Sequence, residues 1–166
     1  MPESNIGKYE AVLTIGTVAQ KLGVAVQTVR MYENEGLVLP HKTNSGRRLY
    51  SMHDLERLRC IREMIVDHGM NISGIKRMFS LIPCWDYMGG VDDDCLSCPV
   101  YSEAIGPCWN VRDVGEKCIR ATCRECDVYR LDVSCHTIKN IVFGRVAEGK
   151  IDKHKSLLKT GEEKSL

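Results

Sequence analysis

The sequence predicts a mainly α chain in three parts: a compact helical domain over 11–82, a small cysteine-rich domain over 83–136, and a short helix with a basic tail over 137–166. Three observations carry that prediction. Before Pro83, apolar residues recur at helical spacing in four short stretches, each bounded by a capping residue or a glycine. Eight of the nine cysteines fall between residues 84 and 135. From Glu148 onward the composition is Lys-, Glu- and Gly-rich, too polar to bury a core.

The first helix is expected after Thr14, a good N-cap, with Ile15, Val18, Ala19 and Leu22 on one face and Gly23 as the turn that ends it. A second helix follows over 26–35. Val26, Val29 and Tyr32 turn inward, while Gln27, Thr28, Arg30 and Glu33 remain on the outer face. Gly36 supplies the left-handed residue past its end, and Pro40 prevents continuation. Helix, tight turn and helix make a helix-turn-helix, whose second helix reads base edges in the major groove of a duplex.

The run His41 to Tyr50 contains Asn44-Ser45-Gly46, a turn sequence, and is expected to form a two-stranded wing bearing Lys42, Arg47 and Arg48 for phosphate contact. Ser51 with Asp54 has the spacing of a capping box. It opens a third helix with a stripe of Leu55, Leu58, Ile61, Arg62 and Ile65, ended by Gly69. Cys60 falls off that stripe and is expected to be an exposed thiol. Asn71 or Ser73 starts a fourth helix with Ile72, Ile75, Met78, Phe79 and Ile82 inward.

Read together, Thr14-Ile15-Gly16, Gln27 to Glu33, Gly36-Leu37, Arg47 to Tyr50 and Asp54 to Leu58 resemble the winged-helix domain of the MerR family of transcription regulators. Gln27 to Glu33 and Asn71 to Lys76 are closest to its heat-shock repressor branch. The resemblance covers residues 13–81. It implies sequence-specific binding of double-stranded promoter DNA as a homodimer, with RNA polymerase met indirectly at the promoter. It also implies contacts to bases or phosphates from Thr14, Gln27, Thr28, Arg30 and Tyr32, and wing contacts from Lys42, Arg47, Arg48 and Tyr50. Two features depart from the family pattern. Ala25 stands where a Ser or Thr cap is usual, at a cost of roughly 1 kcal/mol in helix stability. Pro83 and Cys84 interrupt where a long dimerisation helix normally continues.

In the middle segment, Pro83-Cys84-Trp85 with Cys95-x-x-Cys98 recurs as Pro107-Cys108-Trp109 with Cys123-x-x-Cys126, and a tyrosine stands three residues after each pair, at Tyr101 and Tyr129. The repeat weakly resembles the CW-type cysteine modules of anaerobic bacteria. A C-x-x-C pair places two thiolates on one turn, able to share a tetrahedral ion or a cluster iron. With Cys84, Cys108, Cys118 and Cys135 the sulfurs number eight, enough for two four-sulfur sites. One grouping takes Cys84, Cys95, Cys98 and Cys108 together, leaving Cys118, Cys123, Cys126 and Cys135; another crosses the repeats. Zinc and an iron–sulfur cluster both suit an all-sulfur donor set. The aliphatics are too few for a core of this size, so metal would supply the missing stability. Trp85 and Trp109 are expected to shield the sites, Asp92 to Asp94 to form a solvated turn, and His136 to be a ligand or a structural residue.

Net charge is +1, unevenly spread: +3 over residues 1–80, −4 over 81–130 and +2 over 131–166. The start is polar, without the apolar core of a secretory signal, and no stretch is long and apolar enough to span a membrane. A cytoplasmic setting is therefore expected, where reduced cysteines bind metal or carry redox chemistry rather than disulfides. No phosphate loop, dinucleotide fingerprint or nucleophile motif is present, so no enzyme is expected. Two alternatives stand beside a regulator with a metal-binding or redox-sensing effector domain. One is a heat-shock-type repressor with purely structural zinc; the other, more distant, is a small iron–sulfur or thiol redox protein.

Overall fold

A computed structural model describes residues 7–103, 106–111, 114–119 and 123–131. The expectations for Cys135, His136, the helix after Thr137 and the tail lie outside them.

The first part forms as its local signals dictate. A short strand β1 (Leu13–Thr14) leads into helix α1 (Ile15–Leu22), where the Thr14 hydroxyl accepts the Thr17 amide. Gly23 ends α1 in the left-handed region at φ 65°, donating its amide to the α1 carbonyls. Helix α2 (Val26–Asn34) follows with Ala25 at its N-cap and no side-chain cap bond. Gly36 takes φ 68°, and the chain turns to strands β2 (His41–Lys42) and β3 (Arg48–Tyr50).

The strands form an antiparallel sheet in the order β1-β3-β2, pairing Leu13 with Tyr50 and Lys42 with Arg48. Two strands were expected; β1 is a third. Two residues are too few to show a period, so β1 exists through its pairing with β3 and not through local propensity. The wing turn is closed by the Thr43 and Gly46 amides on the carbonyls of Arg47 and Thr43, with Gly46 at φ 78°.

Helix α3 (Met52–Val66) opens with a complete capping box: Asp54 N–H donates to the Ser51 hydroxyl, and Ser51 N–H donates to the Asp54 carboxylate at 2.8 Å. Helix α4 (Ile72–Phe79) starts from Asn71, whose side chain accepts the Gly74 amide. Val18, Val29, Leu37, Val38, Leu55, Leu58, Ile61 and Ile75 are fully buried where these elements meet.

Beyond Ile82 the chain folds as single turns: α5 (Cys84–Tyr87), α6 (Asp93–Leu96), α7 (Pro99–Glu103), α8 (Glu116–Ile119), α9 (Asp127–Arg130), and 3-10 turns at Cys108–Asn110 and Cys123–Glu125. This segment lies against α3, and its Val128 joins the core of the first part. Helix α3 is consequently covered on two sides. Cys60, expected to be exposed, is buried at 8 % exposure, and Arg57 is buried at 4 %. Arg62, on the same helix, is exposed. The stripe read from sequence accounted for only one of the two faces that α3 buries. Among the described residues no helix is long and apolar enough to cross a membrane.

Candidate nucleic-acid interface and thiol cluster

The N-terminal half of α2 presents Gln27 and Arg30 as exposed side chains, with Thr28 half-buried between them. On the wing, Lys42 and Arg47 are exposed. Arg48 projects from β3 but is tied down, its Nε donating to Glu33 Oε1 at 2.6 Å. The Tyr50 hydroxyl donates to the other oxygen of the same carboxylate at 3.1 Å. Glu33, expected on the outer face of α2, is therefore half-buried and ties α2 to β3.

Three residues of the expected contact set are placed differently. Tyr50 is wholly buried with its hydroxyl on Glu33; burial and the adjacent carboxylate raise its pKa. Tyr32 is buried at 4 % exposure, packed in the core by the inward register of Val29 and Tyr32 on α2. Thr14 commits its hydroxyl to the N-terminus of α1, where it accepts the Thr17 amide and pairs with the Thr17 hydroxyl. Gln27, Arg30, Lys42, Arg47 and Arg48 remain exposed and Thr28 half-buried, with Arg48 linked to α2 through Glu33.

The C-terminal end of α2 meets the cysteine-rich segment. Trp109 donates its indole N–H to the Gly36 carbonyl at 2.8 Å, and the Asn110 carboxamide donates to the carbonyls of Glu35 and Gly36 at 3.1 and 3.2 Å. A side chain at residue 36 would overlap Asn110, so glycine is required there both for its positive φ and for this approach.

One step further along, the Leu39 amide donates to the Tyr129 hydroxyl at 2.8 Å, and Arg124 donates to the Leu39 carbonyl. The buried Asp54 carboxylate accepts from Ser51, from Arg124 Nη2 at 2.9 Å and from the Tyr129 hydroxyl at 3.1 Å. Burial raises the Tyr129 phenol to about 12, so it stays protonated and can donate. Beside it the Arg57 guanidinium is stacked against the rings of Tyr129, Trp109 and Phe79, at 4.3, 4.9 and 5.3 Å from their centres. Its Nη1 donates to the Tyr129 carbonyl, while Nε and Nη2 have no hydrogen-bond partner among the described residues, and burial lowers its pKa.

None of Arg57, Asn110, Arg124 or Tyr129 was singled out by sequence for this docking. The only hint was the repeated tyrosine after each C-x-x-C pair. The repeat is visible in space: Trp85 stacks edge-on against Tyr101 and Trp109 against Tyr129, both with ring centres 5.2 Å apart.

Seven of the eight expected ligands are in the described residues, and they line two adjoining apolar cavities. The larger, of about 30 Å³, is bounded by Cys84, Cys108, Cys118, Cys123 and Cys126 with Met88, Trp109 and Val128; the smaller, of about 20 Å³, by Cys84, Cys95, Cys98 and Cys118 with Trp85 and Tyr101. Burial pushes the Cys84 and Cys118 thiols up to about 11, helped by the neighbouring sulfurs, and Cys108 is raised further for the same reasons.

Buried thiols that oppose one another's ionisation are a donor set suited to a thiophilic cation, whose charge would offset that repulsion. Among the described residues no three Cys, His, Asp or Glu side chains converge closely enough to grip a single ion. The sulfurs stand around cavities instead, so a metal centre would form with their closing in. Asp92 and Asp94 are structural. Asp92 caps α6 through the Cys95 amide, and Asp94 accepts the Glu116 amide at 2.9 Å, holding α8 against α6.

Residues 13–82 match the family described as "MerR HTH family regulatory protein". The chain is 41 % identical over 70 residues to the heat shock protein HspR of Streptomyces coelicolor, covering 42 % of this chain and 46 % of that one. It is 36 % identical over 64 residues to the HTH-type transcriptional regulator GlnR of Bacillus anthracis, covering 39 % and 49 %. It is 35 % identical over 69 residues to the mercuric resistance operon regulatory protein of Bacillus cereus, covering 41 % and 52 %. The chain thus spans about half the length of the curated relatives it matches, and the cysteine-rich segment lies outside the matched family region.

Proposed function

We propose, on the premise that residues 13–82 are a MerR-type helix-turn-helix domain, that this chain is a sequence-specific transcription regulator whose cysteine-rich segment is its effector domain. The observation that carries the first half is the exposed polar face of α2, Gln27 and Arg30 with Thr28 beside them, set against a cationic wing by the Glu33 joint. In this reading α2 enters the major groove, Gln27 and Arg30 reach base edges, and Lys42 and Arg47 hold flanking phosphates. Arg48 fixes the wing angle through Glu33 and adds its remaining N–H groups to a phosphate. Double-stranded promoter DNA is the partner, bound by a homodimer; RNA polymerase is met through the promoter.

The effector half of the reading rests on the docking of Trp109, Asn110, Arg124 and Tyr129 onto residues 35–39, the link between recognition helix and wing. Trp109 and Asn110 directly follow Cys108, and Arg124 stands between Cys123 and Cys126. A metal bound by these cysteines would supply rigid cross-links between turns that have little core of their own. Loss or oxidation of the thiolates would loosen those turns, releasing residues 35–39 and shifting the angle at which α2 and the wing meet DNA.

Selection of genomic duplex fragments by the purified chain tests the DNA reading. A recovered set with a shared site, bound with an affinity that falls steeply with salt, is expected. Recovery without sequence preference would remove the regulator reading.

A further inference from the structure

The eight cysteines divide in more than one way by sequence, and seven of them line the two cavities. This inference rests on the reading above that the cysteines hold metal, and it asks which thiols share a centre. Cys95 and Cys98 line only the smaller cavity; Cys108, Cys123 and Cys126 line only the larger. Cys108 therefore lies off the wall that the Cys95-x-x-Cys98 pair lines, which argues against the grouping of Cys84, Cys95, Cys98 and Cys108. Cys84 and Cys118 form the wall common to both cavities. Among the described residues, the Cys95–Cys98 cavity reaches four sulfurs by taking both of them.

We propose that Cys84, Cys95, Cys98 and Cys118 form one four-thiolate centre for a thiophilic metal, distinct from the thiols of Cys108, Cys123 and Cys126, so that the second repeat lends its Cys118 to the first. Two features of the fold support the loan. Asp94, next to Cys95, binds the Glu116 amide, pinning the short helix that carries Cys118 against the one that carries Cys95. A side chain at Gly115, the residue before α8, would crowd the Asp94 carboxylate, so this close approach needs glycine. The repeat thus keeps its aromatic pairs within each unit, Trp85 with Tyr101 and Trp109 with Tyr129, while one thiol crosses between them.

On binding, each thiol releases its proton to solvent as its sulfur takes the metal, with no change in oxidation state of sulfur. The donor set suits zinc and a four-iron cluster alike, and the test separates them.

The full chain is loaded anaerobically with zinc alone in one arm and with equal amounts of ferrous and ferric iron plus sulfide in the other. Metal is then withdrawn stepwise with a chelator, exposed thiols are trapped with N-ethylmaleimide at each step, and trapped positions are located by mass spectrometry. Cys84, Cys95, Cys98 and Cys118 should become reactive as one group, at a step different from Cys108, Cys123 and Cys126, in whichever arm loads. In variants, Cys95→Ser with Cys118→Ser should lose no more metal than Cys95→Ser alone, whereas Cys95→Ser with Cys108→Ser should lose about twice as much. Cys108 released together with Cys95 and Cys98, or all seven released at one step, overturns the grouping and leaves the metal-holding effector intact. Protection of no thiol in either arm overturns both.

Discussion

The two halves of this molecule are stabilised in different ways. The winged helix closes on itself: Val18, Val29, Leu37, Leu55, Leu58, Ile61 and Ile75 are fully buried, and its helices run 8 to 15 residues with side-chain caps on α1, α3 and α4. Among the described residues the cysteine-rich segment is built from helices of four or five residues, too short to be stable alone, and the most deeply buried of its apolar side chains, Val128 and Tyr129, lie at the border with the first half. One half has a core; the other has a docking site and a set of thiols. Local structure in the second half therefore follows from what it touches, with α3 of the first half foremost.

Four perturbations break or sharpen that contrast, beginning with the largest expected effect. Asp54→Ala removes the N3 carboxylate of the α3 capping box and strands Arg124 beneath the surface. The loss should be about 3–5 kcal/mol, read as a lower urea midpoint for the whole chain. A midpoint shift confined to signals from Trp85 and Trp109 would show instead that the halves unfold separately.

Gly36→Ala acts on the boundary alone. Forcing a Cβ into the left-handed region costs about 1–2 kcal/mol, and its overlap with Asn110 should undock Trp109, seen as a red-shifted tryptophan emission. Unchanged emission would mean that Asn110 tolerates the methyl by rotating away.

Arg30→Ala touches only the DNA-facing side. It should weaken binding to a selected duplex by roughly 1–3 kcal/mol without moving the urea midpoint, and affinity that stays the same would take Arg30 out of the contact set. Smallest is Ala25→Ser, which gives α2 the hydroxyl cap it lacks and should raise stability by roughly 1 kcal/mol. A neutral result would indicate that the α2 amides are satisfied by other means.

The same contrast explains what could be read in advance. Thr14, Gly23, Gly36, the Ser51–Asp54 box and Asn71 act on residues within a few positions, so each announced its helix end in the sequence. The apolar stripe of α4 did likewise. Cys60, Glu33 and Tyr50 were misplaced because their surroundings are set from a distance: α3 is covered by a segment that follows Pro83, and Glu33 is claimed by Arg48 and Tyr50 across the wing. Trp109 and Gly36 are 73 residues apart, and Leu39 and Tyr129 are 90 apart, so no spacing rule anticipates either bond. For the cysteines, the repeat disclosed the ligand types and the two aromatic pairs. Which sulfurs share a cavity depends on how α8 lies against α6, where Asp94 accepts the Glu116 amide across 22 residues of sequence.

Duplex affinity of the metal-loaded chain, measured at fixed salt before and after the metal is stripped anaerobically, tests whether the thiol-bearing segment acts on α2 through residues 35–39. Weaker binding once metal is removed, together with faster amide exchange at Leu39 and recovery of both on reloading, is the expected result. Affinity and Leu39 exchange that are the same in both states would overturn that link.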